Sequence, residues 1–586
     1  MPIDFVGSLW NDPSIIADFD FDYDNRFFLF VTMITAMIVC LGWLLSLSLS
    51  TTTAEAFDKP FFLRKLNPWK RLVRTDSFSS SSASTRDSFW KELSPPFLGG
   101  IMGSQDDDDE EEDMVMYPNP HLEAPDVTHF CFLIHGHRGL SADLRYMQSV
   151  MQRLAAMEKL RQSESGSESE SESESEPNQE KKDENDRPLL HDMVVHNAIC
   201  NEHKTTDGVR NGGDRLVEEM LQVIQDEMDK RYPDPSDGQI HDITISVLGN
   251  SLGGLFGRYA IAKLVERHCV LSEEDNDQDH YWVLMGKYRL HLNIFCTTAT
   301  PHLGISRHTY FRIPRTAEIG VAHAMGDTGK DLFRLNDLLH TMATSPTFLG
   351  PLSRFRKRIA YANAYGTDFP VPVGTAAFLS ENSSYPHHFK EAEDVLVGEE
   401  SQEDKDLRIA TLHTPNMHKI NADEAKEGGD DDQEEDAATD ADKDDVSDHA
   451  DELHRMSISL DQLGWKKVFI DIRREMPSVE IPKSIRNIRR NSDSSVVVDS
   501  HNTDTDKDLT LLKTKKVVSS RDVATAVSSS ATDNRLYYPM GHNMIVAFSR
   551  SRRSSLINKG GRPIVDALAK ELVEDIFKWN KKQKEQ

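Results

Sequence analysis

Residues 243–260, ITISVLGNSLGGLFGRYA, carry a β-branched apolar run straight into a serine flanked by glycines and then into a helical pattern. A chain that makes this transition must end a strand, turn sharply at the serine and start a helix at once. The backbone at the apex of such an elbow brings neighbouring chains too close for side chains at the flanking positions, which accounts for Gly249 and Gly253. An ordinary tight turn would explain the glycines, but not a strand before them and the helix LFGRYAIAKLVERH after them. Ser251 is therefore the candidate nucleophile. A strand feeding a helix in this way is the unit of an α/β fold built on a mainly parallel sheet.

Acyl transfer at a serine also needs two backbone N–H groups aimed at the developing oxyanion. One comes from the residue after the nucleophile, here Leu252, and the other from the loop after an early strand. THFCFLIHGHRGLSADL has that form: an apolar strand enters His135-Gly136-His137-Arg138-Gly139, and the backbone amide of His137 is the candidate second donor. The side chains of His135 and His137 are read as structural. Acid and base should follow the serine in that order. LNIFCTTATPHLGI, RIAYANAYGTDFPVPVGTAAF and WKKVFIDI are strand-like runs that would extend the sheet in parallel. The second ends at Asp368, the candidate acid, with Asp471 after the third as the alternative. YYPMGHNMIVAFSR places His542, the candidate base, in a glycine-containing loop. Arg550, Arg552 and Arg553 beyond it read as solvated surface, with attraction of anionic lipid heads as the alternative. His302 and the loop residues Asn201, Thr205 and Asp207 read as structural, the last three with the alternative of lining the substrate pocket. No metal or organic cofactor is called for. The five cysteines lack C-x-x-C spacing, which argues against a zinc site and against a disulfide framework.

Taken in order, LIHGHRGLSADL, NEHKTTDGVRNGGDRLVEEM, ITISVLGNSLGGLFGRYA, FCTTATPHLGI, YANAYGTDFPVP, LGWKKVFIDI and GHNMIVAF resemble the lipase-like serine esterase family known as domain of unknown function 676. The resemblance runs, with interruptions, from Asp126 to Phe577. It implies an α/β-hydrolase fold and hydrolysis of acyl esters, chiefly in lipids, by Ser251, Asp368 and His542.

Charge explains the interruptions. Three windows, Asp106–Asp113, Ser163–Asp186 and Glu391–Glu452, together carry −35, whereas the whole 586-residue chain carries −30. The acidity therefore belongs to inserts and says nothing about the substrate. Runs such as SESGSESESESESE bury too little apolar surface to offset the entropy of ordering and are expected to stay solvated. The sequence thus divides into an acidic tail (1–26), a transmembrane helix (27–49) and a linker, basic and serine-rich and then acidic (50–125). The hydrolase core follows (126–380, with a disordered insert at 163–188), then an acidic disordered insert (381–454), a core strand (455–475), a further disordered insert (476–533) and a C-terminal core segment with the histidine (534–582).

The membrane helix rests on the absence of any charged residue from Phe27 to Ala54, long enough to cross a hydrocarbon core of about 20 residues. The basic flank lies downstream, at Lys59, Arg64, Lys65, Lys70, Arg71 and Arg74, which places the catalytic part in the cytosol. Cleavage of a signal near Ala56, followed by a plastid transit segment, is the alternative. The expected activity is a membrane-anchored lipase or phospholipase with a lipid or acyl-ester substrate and no nucleic-acid partner. An acyl-protein thioesterase and a non-enzymatic hydrolase-like adaptor are the alternatives.

Overall fold

The computed structural model describes residues 125–171, 190–233, 240–272, 281–306, 315–389, 407–417, 445–480, 512, 514–528, 535–537 and 540–579. These residues lie in one compact unit, Pro118–Gln586. The segment expected to cross a membrane, 27–49, its flanks and Cys40 lie outside the described residues. Among the described residues no helix is long and apolar enough to cross a membrane.

The core begins with VTHFCFLI, strand β1 (Val127–Ile134), every residue of which is buried. Alternation divides the strand between two faces: Phe130, Phe132 and Ile134 enter one apolar cluster, Cys131 and Leu133 the other. A strand covered on both sides is what a parallel sheet requires. The further strands are β2 (His191–Asn197), β3 (His241–Asn250), β4 (Cys269–Leu271), β5 (Trp282–Leu284), β6 (Tyr288–Thr298), β7 (Lys357–Asn363), β8 (Pro386–Phe389), β9 (Arg408–His413) and β10 (Lys466–Ile470). After them come β11 (Ser478–Glu480), β12 (Val517–Ser519) and β13 (Arg535–Tyr537).

Across the sheet the order β2-β1-β3-β6-β7-β10 is parallel throughout, and β9, β8 and β12 continue it antiparallel. The three runs expected to extend the sheet in parallel are β6, β7 and β10, and they do so. Helices α1 (Arg145–Ser171) and α5 (Arg562–Phe577) cover one face through residues such as Met147, Met151, Leu568 and Leu572. Helices α2 (Val209–Arg231), α3 (Leu252–His268) and α4 (Asp445–Asp461) cover the other through Leu216, Phe256 and Leu460. A large, mostly parallel sheet flanked by helices is the arrangement expected of an α/β-hydrolase.

The chain leaves β1 to one side for β2 and returns to the other side for β3. The loops after β1 and β3 therefore face each other where the strand order reverses, outside the carboxyl ends of the strands, which is where open α/β sheets place ligands.

The insert boundaries read from composition need correction. Helix α1 runs through Ser171, into the window expected to be disordered from 163. The window 381–454 contains β8, β9 and the start of α4, and 476–533 contains β11, β12 and a helix, Ser520–Ser528. Averaged charge hid short apolar patterns: Ala410 and Leu412 of β9 are buried, and Val518, Val523, Ala526 and Val527 pack into the same satellite core. A few buried methyl groups per strand suffice when the strand adds to an existing sheet edge.

Candidate active site

Ser251 stands between the end of β3 and the first residue of α3 with φ 55° and ψ −127°. That is a left-handed backbone a serine rarely adopts. Its N–H donates to the Thr298 carbonyl at the end of β6 (2.9 Å), and its carbonyl accepts from Gly254 N (3.1 Å). The glycines are forced by space. A Cβ on Gly253 would lie 2.1 Å from the Ile134 carbonyl oxygen, one on Gly249 2.4 Å from the Gly254 Cα, and one on Gly136 2.7 Å from the Ser251 Cβ. The last of these brings the loop after β1 against the serine itself.

Asp368 follows the carboxyl end of β7 and is 1% exposed. Its carboxylate accepts hydrogen bonds from Asn363 Nδ2 and the Val371 N–H, each at 3.0 Å. His542 Nδ1 lies 3.1 Å from both carboxylate oxygens. The chain reaches this pairing through an antiparallel bridge between Asp368 and Met540 and a bond from Gly541 N to the Thr367 carbonyl (2.9 Å). Gly541 is small because a Cβ there would sit 2.6 Å from that same carbonyl. With Nδ1–H donated to Asp368, the His542 Nε2 is left as the basic nitrogen. The alternative acid, Asp471, holds Arg473 instead, at 2.9 Å to Nε and 2.7 Å to Nη2.

Leu252 opens α3, so its N–H belongs to the first turn of the helix, where no carbonyl of the preceding turn can accept it. In the loop after β1, Arg138 N donates to Thr205 Oγ1 (2.7 Å), Gly139 N to the Gly136 carbonyl (3.0 Å) and Leu140 N to Asp143 Oδ2 (2.8 Å). The His137 amide is not among these committed donors. Burial pushes the His137 imidazole down to about 4 and lowers His135 as well, so both rings are neutral near pH 7, as a structural role requires.

The remaining polar motifs have structural partners. Thr205 anchors Arg138; Arg215 bridges Asn201 Oδ1 (3.0 Å) and the Asp207 carboxylate (2.6 Å). His302 is fully buried, bonded to Thr297 Oγ1 (3.1 Å) and Arg258 (3.3 Å). Arg552 and Arg553 are exposed, but Arg550 is not the free surface cation the sequence suggests: it clasps Asp143. The spacing of 407 residues gave no signal of that pair. Burial pushes the Cys131 thiol up to about 12 and Cys296 well above its ordinary range, which makes neither a competing nucleophile.

A strained serine at a strand-to-helix turn and a histidine–aspartate pair, both past the carboxyl ends of strands of a parallel sheet, are features expected of an α/β-hydrolase. Residues 124–379 match the family described as "Putative serine esterase (DUF676)", and the resemblance read from the motifs stands for that segment. It contains Ser251, Asp368 and the loop after β1; His542 lies beyond its end. A curated relative, "Putative lipase ROG1" of Saccharomyces cerevisiae, is 31% identical over 193 residues, which are 32% of this chain and 23% of the yeast protein. The match thus spans under a quarter of that relative's length. A solved structure, of the gene lin2722 product from Listeria innocua, aligns over 44% of this chain and 78% of its own at 12% identity, with a TM-score of 0.20.

Proposed function

We propose that this chain is a serine ester hydrolase acting on acyl esters of lipids, with Ser251 as nucleophile, His542 as general base and Asp368 as its orienting acid. The observation that carries the reading is the His542 Nδ1–Asp368 contact of 3.1 Å at the same carboxyl end of the sheet as the strained Ser251. A serine hydroxyl is a weak nucleophile at neutral pH, so His542 Nε2 takes its proton as the oxygen attacks the ester carbonyl. Asp368 fixes the tautomer and stabilises the imidazolium. The Leu252 and His137 amides bind the tetrahedral oxyanion. His542 returns the proton to the departing alcohol, and water, activated by the same nitrogen, releases the acyl group.

The lipid substrate is supported by the printed name of the yeast relative, and membrane anchoring by the uncharged stretch at 27–49. Turnover of a glycerolipid panel by the wild type and not by Ser251→Ala is the expected result. Hydrolysis of acyl-protein thioesters with inert lipids would replace the lipid substrate by a protein one. An intact N-terminus in the membrane fraction is expected; a mature chain starting near Phe57 would remove the anchor.

A further inference from the structure

Arg550 lies eight residues beyond His542, yet its guanidinium bonds to the segment after β1 while stacking over Phe548 of its own segment. Its guanidinium grips the Asp143 carboxylate with both arms, Nε to Oδ1 at 2.7 Å and Nη2 to Oδ2 at 2.8 Å, and Nη2 also donates to the Arg138 carbonyl (3.0 Å). The Asp143 side chain is 4% exposed and that of Arg550 22%, so the pair is shielded from solvent. A two-armed pair of this kind fixes angle as well as distance.

Asp143 passes the constraint on. Its Oδ2 also accepts the Leu140 N–H, and the neighbouring Ser549 N–H donates to the Asp143 carbonyl (3.2 Å). Arg138 has φ 52°, a conformation that costs energy in a residue other than glycine. It is held from two sides: its N–H by Thr205 and its carbonyl by Arg550. The peptide joining His137 to Arg138 is held at its N–H by Thr205, and the next one, joining Arg138 to Gly139, at its carbonyl by Arg550, so the residue that follows His137 is pinned on both sides by groups outside the loop, one of them from the segment that carries His542.

We propose that Arg550 is a positioning residue: through Asp143 and the Arg138 carbonyl it holds the His137 amide at the oxyanion position and ties that loop to the histidine segment. This rests on the reading of Ser251 as nucleophile. The pair acts through the loop and not on the substrate itself, so its loss bears on the transition state more than on ground-state binding. Loss of one oxyanion donor costs roughly 100- to 1000-fold, and a loosened donor should cost less, roughly 10- to 100-fold in kcat with KM within about twofold.

The test uses the full chain, a short-chain p-nitrophenyl ester and an alkyl fluorophosphonate probe, with Arg550→Ala, Arg550→Lys, Asp143→Asn and the Asp143→Asn/Arg550→Ala double variant. Rates are normalised to folded protein. The expected result is a kcat loss in Arg550→Ala partly restored by added guanidinium ion at about 20 mM, a smaller loss in Asp143→Asn, and a double variant no worse than the worse single one. Lysine, which cannot reproduce the two-armed contact, is expected to rescue poorly. Should Arg550→Ala fail to fold, Arg550→Lys and Asp143→Asn carry the test. Folded variants with kcat within about twofold of wild type would overturn the proposal. If Ser251→Ala is silent to the probe while Arg550→Ala labels at the wild-type rate, only the positioning role falls; if Ser251→Ala labels like wild type, the nucleophile assignment falls with it.

Discussion

The two halves of the candidate site are built in different ways. The elbow at 249–254 is one contiguous stretch whose geometry is imposed by local collisions: the Ile134 carbonyl leaves no room for a Cβ at 253 and the Gly254 backbone none at 249. The acid–histidine arm joins residues 174 positions apart and depends on a few directed bonds, the Asp368–Met540 bridge, Gly541 N to Thr367 O, and the Asn363 and Val371 donors to the carboxylate. Steric exclusion tolerates no substitution, whereas a hydrogen-bonded arm can be weakened step by step. The elbow should therefore fail abruptly and the arm gradually.

Substitutions at the reacting groups should have the largest effect. Ser251→Ala is expected to lower ester turnover by roughly 10⁵-fold or more, and His542→Ala by a similar factor. Asp368→Asn leaves the arm in place but cannot hold the same tautomer, and a loss of about 10⁴-fold in kcat is expected in steady-state assays. A loss below about tenfold would mean that the arm contributes little.

Gly253→Ala probes the abrupt side: its Cβ meets backbone at 2.1 Å, and a destabilisation of about 1–3 kcal/mol or more, read by chemical denaturation, is expected together with loss of activity. Wild-type stability in this variant would show that the elbow is looser than the collisions imply.

Acid should loosen the scaffold through its buried histidines. Burial holds His137 down to about 4 and His387 to about 2, and pushes His129 and His302 well below the ordinary histidine value of 6.5. The unfolded chain takes up protons that these folded rings refuse. Their contribution to stability is thus complete above pH 6.5 and drains as pH falls through about 4, on the order of 1 kcal/mol per ring per pH unit. Thermal midpoints measured between pH 7 and pH 5 should fall accordingly; a flat profile would mean that the rings are accessible.

Gly320→Ala should have the smallest effect. Among the described residues nothing lies within 4 Å of a Cβ at this helical position, so a gain of about 0.5–1 kcal/mol with unchanged activity is expected, the opposite of Gly253. A loss of stability here would mean that crowding does not separate the two glycines.

The same contrast explains what could be read from the sequence. The elbow was legible because its strand, glycines and helix are adjacent, and β6, β7 and β10 because each carries a β-branched or aromatic apolar run. Asp368 and His542 could be placed only at strand ends and ordered along the chain; their 3.1 Å meeting depends on a bridge with no sequence signature. The edge strands β8, β9 and β12 were lost beneath neighbouring acids, whose charge outweighs a few buried aliphatics in any window average. Arg550 was misread for a related reason: an arginine among arginines and serines looks solvated, and only the fold brings it to Asp143.

The most direct test of the central claim is labelling of the full chain by an alkyl fluorophosphonate, which reacts with activated serines, in wild type, Ser251→Ala and His542→Ala. The account predicts rapid labelling of the wild type and none in either variant. A folded wild type that stays unlabelled, or a Ser251→Ala variant that labels like wild type, would contradict it.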